Sequence, residues 1–383
     1  MNNQRLKILL LGGTGAMGVH LSKILNNQGE DVYVTTRRER KGMGITYIQG
    51  NAHENAFLSD ILQKYHFDVL IDFMIYNTSE FADRVDLLLS SVGQYIFLSS
   101  SRVYADSQTP ITENSPRLLD VYKEEEYLKT DEYALSKARQ EDILHRSGKN
   151  NWTVIRPYIT YSEIRLQLGV LEKELWLYRA LNGRTIVFSK DIAEKSTTLT
   201  YGYDVALGIA SIIGKETALG EAFHITSDES HTWKEILELY LDTVEKRIGV
   251  RPKLLLLDKS PRLEWAGAKW QVVVDRYYNR RFDNSKIKQY IDTSQFVLTK
   301  KGLISCLESF LSNPQFRNIE WGMQAVYDRM TGEWAPINEI STMKDYIKYL
   351  LRRTVMRRSL TPLRTRRSRP SPRAVKSKAS RNK

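Results

Sequence analysis

Cysteine is almost missing: Cys306 is the only one in 383 residues. No disulfide can close within the chain, which fits a reducing compartment, and a cytoplasmic location is expected. Histidine is scarce as well. The six (His20, His53, His66, His145, His224 and His231) include no close pair at ligand spacing, so no metal site is expected. No apolar run approaches the roughly 20 residues that span a bilayer, so no transmembrane segment is expected. The early "RLKILLLGG" is too short in its apolar part for a signal peptide and lacks a small-residue cleavage site. It reads as a buried strand. Acidic residues are missing from Arg352 to Lys383, where 13 Lys and Arg stand. Those 13 charges exceed the net +12, which leaves −1 on residues 1–351. The body is close to neutral, and the basicity belongs to an appendix.

What is present is globular: 42% hydrophobic residues and 21 tyrosines. "LKILLLGG", "DVYVTTR", "ITYIQG", "FDVLIDFMI", "QYIFLSS" and "WTVIRPY" read as strands. "GVHLSKILNNQG", closed by Gly29, "ENAFLSDILQKY" and "FADRVDLLLSSVG" read as helices between them. Alternation of this kind predicts a parallel, doubly wound sheet covered on both faces. The expected organisation is a nucleotide-binding domain over 1–157, a smaller substrate-binding region over 158–351 partly interleaved with it, and a disordered basic tail over 352–383. That tail could meet RNA or an anionic membrane surface.

At the first strand–helix junction stands "LGGTGAMGVHL". Gly12, Gly15 and Gly18 permit a tight turn and let backbone N–H groups approach a pyrophosphate at the helix N-terminus. The turn Gly12, Gly13, Thr14, Gly15, Ala16, Met17 and Gly18 is therefore the candidate dinucleotide site. Further on, "DEYALSKARQED" places Tyr133 four residues before Lys137, on one face of a helix. An ammonium beside a phenol lowers its pKa and readies it for proton transfer. Among 21 tyrosines such a spacing arises about once by chance, so it decides nothing alone.

The glycine spacing, the Tyr-x-x-x-Lys pair and the upstream "YIFLSSSRVYA" together resemble the extended short-chain dehydrogenases/reductases, the nucleotide-sugar epimerases, dehydratases and reductases. "TVIRPYITY", "LTYGYDVALGIASII" and "GEAFHITSDESHTWKEILE" resemble later segments of that family, over roughly residues 5–240. The resemblance implies a Rossmann-type fold and hydride transfer at a hydroxyl or carbonyl of a nucleotide-sugar-like substrate. It implies Ser100, Tyr133 and Lys137 as catalytic residues, with Ser99 and Ser101 as substitutes for Ser100. Tyr133 and Lys137 would also meet the cofactor, as would Asn51. A homodimer is left open, as is a silent member of the family that binds RNA or senses a cofactor.

Three features depart from the family pattern. Ser101 and Arg102 stand where dehydratases carry an Asp-Glu pair, which disfavours dehydration. Thr36, Arg37 and Arg38 end the second strand where an acidic residue would hold the ribose of NAD. A guanidinium suits a 2′-phosphate, so NADP is expected, with NAD left open. The stretch from Asp106 to Thr130 is long and is expected to cover the substrate. Trp265, Trp270, Trp321 and Trp334 lie beyond the resemblance and are expected to pack rather than stack on a ligand.

Overall fold

The computed structural model describes residues 5–355 except 43 and 266. Seven parallel strands form the central sheet: β1 (Lys7–Leu11), β2 (Asp31–Thr36), β3 (Ile45–Gln49), β4 (Val69–Asp72), β5 (Gln94–Leu98), β6 (Trp152–Pro157) and β7 (Glu221–Ile225). Their order is β7-β6-β5-β4-β1-β2-β3. This is a doubly wound Rossmann-type sheet, with the strand order reversing between β1 and β4.

The alternation of side chains along β1 shows why both faces are covered. Ile8 and Leu10 join a core with Leu21 and Leu25 of helix α1 (Gly18–Asn27). Leu9 and Leu11 point the other way, into a core with Leu58, Ile61 and Leu62 of α2 (Asn55–Tyr65). All four are fully buried, so the "KILLL" run has no polar side to show. Helix α3 (Tyr133–Arg146) starts at the tyrosine itself, and α4 (Gly202–Ile212) adds Val205, Ala206 and Ile209 to the α1 face. Beyond them, α5 (Trp233–Ile248), α6 (Thr299–Ser312), α7 (Trp321–Thr331) and α8 (Met343–Leu350) build the smaller region.

Several elements depart from the sequence reading. "FDVLIDFMI" stops being a strand at Asp72, whose carboxylate takes the Met74 N–H at 2.9 Å and the Tyr95 hydroxyl at 2.9 Å. The chain turns there. "FADRVDLLLSSVG" forms two short helices, Thr78–Ala82 and Val85–Ser90, broken at Arg84. Arg84 reaches back to the carbonyl oxygens of Glu80, Ala52 and His53. Residues 106–130 do not cover the cavity at the C-terminal ends of the sheet strands. They pack aside, with Tyr127 against Trp270 at 4.6 Å between ring centres, and none of them is among the cavity's lining residues.

Trp265, Trp270 and Trp321 are buried, whereas Trp334 is 52% exposed. Arg352 and Arg353, assigned by sequence to the basic tail, belong to the wide helical turn Leu351–Val355 that continues α8. The rest of that tail, 356–383, lies outside the described residues.

Candidate active site

The parallel strands end together, and their C-terminal ends face a cavity of about 420 Å³. Met17 after β1, Phe73 and Met74 after β4, Ser99 and Ser100 after β5, and Pro157–Thr160 at and after β6 form one side. Tyr133 and Lys137 enter from α3; Arg165, Gln167, Gln271 and Arg276 close the site from the smaller region. This is the crevice at the strand-order reversal where open parallel sheets take ligands.

The glycine turn borders it. Gly12 has φ +69°, a conformation that side chains disfavour, and its N–H donates to Thr35 Oγ1 at 3.0 Å. A Cβ on Gly18 would lie 2.6 Å from the backbone of Gly13, so α1 is drawn tightly onto the turn. A Cβ on Gly15 would meet nothing within 4 Å, so the middle of the turn is open. Thr14 and Ala16 complete it: Thr14 N–H bonds the Gly12 carbonyl at 2.8 Å, and the Ala16 carbonyl lies against Gly202.

Three neighbouring serines have three different fates. Ser99 donates to Glu141 Oε1 at 2.5 Å, and Ser101 donates to the Arg156 carbonyl at 2.6 Å. Both hydroxyls are spent inside the protein. Ser100 alone is left beside Tyr133, where it hydrogen-bonds the phenol and accepts the Arg102 N–H at 3.2 Å.

Burial raises the Tyr133 pKa. Arg102, the Ser100 hydroxyl and Arg165 pull against that rise without overcoming it. The opposing charge therefore comes mainly from guanidinium groups rather than from Lys137, as the helical spacing had suggested. Arg102 lies with its Cζ 5.3 Å from the Tyr133 ring centre and pairs with Glu132 at 2.6 Å.

Lys137 is 2% exposed, and its Nζ has no hydrogen-bond partner among the described residues. It stands 4.4 Å from the centre of the Phe97 ring. Burial pushes its pKa down to about 8, against an opposing pull from Asp72 and Glu141. A buried ammonium without an acceptor is costly, and a hydroxyl-rich group in the cavity would supply one. The open glycine turn and this orphaned nitrogen both fit a nicotinamide dinucleotide.

Thr36 is buried and closes a small turn, its Oγ1 donating to the Arg38 carbonyl at 2.9 Å, while Arg37 and Arg38 are exposed. Asn51 accepts the His53 N–H at 3.3 Å and donates to Glu54 at 3.1 Å, so its side chain shapes the entry to α2. Among the described residues no group of three His, Cys, Asp or Glu could hold a metal ion.

Sequence reasoning missed several participants. Arg276 is buried, donates to the Gly169 carbonyl at 2.9 Å and pairs with Asp275, which also takes Arg280 at 3.1 Å. Gly202 has a signal in "YGYDVA": a Cβ there would stand 2.4 Å from the Ala16 carbonyl oxygen. Two residues on, the buried Asp204 accepts the Val297 N–H at 2.9 Å, and burial raises its pKa to about 6.

Residues 8–225 match the model of the NAD dependent epimerase/dehydratase family. The chloroplast stem-loop binding protein of 41 kDa b from Arabidopsis thaliana is 26% identical over 246 residues, which are 59% of this chain and 60% of that protein. Among solved structures, the enzyme WbmH of Bordetella bronchiseptica in complex with NAD+ superimposes with a TM-score of 0.63 at 15% identity. It covers 81% of this chain and all of its own. The UDP-glucuronic acid 4-epimerase of Bacillus cereus, with UDP-glucuronic acid and NAD, gives 0.61 at 18% identity, over 80% of this chain and 99% of that one. At such identities the likeness is one of fold. The family match covers more than half of the sequence, and the chain belongs to the NAD-dependent epimerase/dehydratase family.

Proposed function

We propose that this protein transfers hydride at a hydroxyl- or carbonyl-bearing carbon of a nucleotide-sugar-like substrate, as an epimerase or a reductase. The observation that carries this reading is the convergence of Ser100, Tyr133 and an unpartnered Lys137 on one cavity beside an open glycine turn. When bound, a nicotinamide dinucleotide supplies the hydride donor or acceptor. The turn 12–18 would hold its pyrophosphate, and Lys137 its ribose. Exposed Arg37 at the end of β2 suits a 2′-phosphate and favours NADP.

The proton belongs to Tyr133. With its pKa raised, the side chain is a phenol at neutral pH and can protonate a carbonyl oxygen; in the opposite direction it must first lose that proton. Arg102, Arg165 and the Ser100 hydrogen bond oppose the rise and ease that loss. With substrate bound, Ser100 would turn its single O–H from Tyr133 to the reacting oxygen and stabilise charge as it develops there. Arg102, Lys137, Arg165 and Arg276 line the cavity, and no Asp or Glu is among its lining residues. Such a site favours a phosphate-bearing or otherwise anionic substrate. Ser101 and Arg102 offer no acid–base carboxylate beside Tyr133, which argues against dehydration.

The test is a panel of nucleotide sugars incubated with NAD(H) and NADP(H) and read by NMR for oxidised, reduced and epimerised products. Turnover of any member supports the reading. Tight dinucleotide binding with no turnover across the panel, together with binding of an RNA hairpin, would replace it with a silent RNA-binding role.

A further inference from the structure

The outer face of the smaller region carries an apolar stripe that nothing among the described residues covers. Met343, Ile347 and Leu351 recur every fourth residue along α8 and its continuation, so they share one side. They are 72%, 51% and 49% exposed, and Ile337 and Trp334 nearby are 67% and 52% exposed. Five of the 14 large apolar side chains exposed among the described residues thus fall between 334 and 351.

The helix cannot roll to hide them. On its opposite side Tyr349 is 1% exposed; its hydroxyl donates to Asp328 at 2.7 Å and accepts the Ala335 N–H at 2.8 Å. That anchor fixes α8 on α7 with its apolar stripe facing outward. Trp334 packs on the anchored side: its ring lies 6.4 Å from that of Tyr349, and the Arg353 guanidinium sits 4.4 Å over it.

We propose that this stripe and the basic residues that follow it dock the protein on an anionic lipid membrane surface. Charge complementarity identifies the partner. Residues 356–383 hold eleven Lys and Arg and no Asp or Glu, directly after the apolar helix. The acidic residues of the docking region are engaged: Glu333 with Arg179, Glu339 with Arg184, and Asp345 with Thr342. An apolar helical face with adjoining cations matches an interface whose headgroups are negative and whose interior is hydrocarbon. An RNA partner would use the cations alone and leave Met343, Ile347 and Leu351 in water. The helix lies on the surface rather than crossing it, since no described helix is long and apolar enough to span.

The test is co-sedimentation of the full chain with vesicles of phosphatidylcholine alone and of phosphatidylcholine with phosphatidylglycerol. The wild type should bind only the anionic vesicles, and added salt should weaken it. Met343→Glu with Ile347→Glu should weaken binding at least tenfold while leaving the melting temperature in place, because both side chains are exposed. Deleting residues 356–383 should weaken it at least as much. Absence of binding to anionic vesicles overturns the proposal. So does binding that the double substitution leaves unchanged, since the stripe would then have no lipid role. A wild-type dimer that the double substitution makes monomeric would also overturn it, by assigning the face to a second copy of the chain.

Discussion

Arg156 and Glu141 form a two-point ion pair inside the protein, Nε to Oε1 and Nη2 to Oε2, both at 2.9 Å. Their side chains are 6% and 0% exposed, and the same carboxylate takes the Ser99 hydroxyl. The pair ties β6 to α3 directly behind the serine that neighbours Ser100. Removing one partner strands a charge in the interior. Arg156→Met should therefore cost about 3–5 kcal/mol of stability, measured by urea titration. A cost under about 1 kcal/mol would show that Arg117, 3.4 Å from Glu141, is enough to hold the carboxylate.

Tyr133→Phe keeps the ring and removes the transferable proton. Turnover of a substrate found in the nucleotide-sugar panel should fall at least a thousandfold, while the dissociation constant for the dinucleotide changes less than threefold. Near-normal turnover would remove Tyr133 from the chemistry.

Lys137 makes a prediction with a definite sign. Its folded pKa is lowered to about 8 from an ordinary 10.5. Between those values the unfolded chain binds more protons, so this group makes stability rise with pH across that window. Below pH 8 the burial penalty is fully present. Lys137→Met in the dinucleotide-free protein should then be more stable than wild type by about 3 kcal/mol, and the gap should close by about pH 10.5. Denaturant melts of both proteins between pH 7 and 10.5 check this. A gap that is flat with pH, or of opposite sign, refutes it. The same substitution should weaken dinucleotide binding.

Gly202→Ala tests the junction between the two regions. The added methyl meets the Ala16 carbonyl oxygen at 2.4 Å and must displace either α4 or the glycine turn. We expect a loss of about 1–3 kcal/mol and at least tenfold weaker dinucleotide binding. Calorimetric titration distinguishes this from a purely structural effect, in which stability falls and affinity does not.

Arg37→Ala should reduce the preference for NADPH over NADH while leaving NADH affinity in place. Fluorescence titration with both cofactors reads it out. Equal affinities in the wild type would remove Arg37 from cofactor selection.

The fold was legible because its evidence is local. Strand runs, the helices between them and the turn Gly12–Gly18 each occupy a few consecutive residues, and their order predicts a doubly wound sheet. Ser100, Tyr133 and Lys137 could be located because each sits in a short string at a strand end or a helix start. What could not be read depends on contacts across the chain. Arg276 and Gln271 reach the cavity from more than 130 residues after Tyr133, with no spacing to announce them. Glu141 was a weaker omission, since it lies one turn beyond Lys137 on the same helix face. Nothing in "ADSQTP…EEEYLKT" told whether the segment would close over a ligand or pack aside. Tyr127 against Trp270 decided that.

The position of β7 has a consequence for synthesis. Its five residues pair with β6 along the register Glu221–Thr153 to Ile225–Pro157, although 63 residues separate the two strands. A ribosome making this chain releases β6 well before the strand that covers it. During that interval β6 presents an open edge of hydrogen-bonding groups, the kind of surface that pairs with other chains. Early termination between residues 160 and 220 should therefore yield aggregating fragments rather than a smaller folded nucleotide-binding domain.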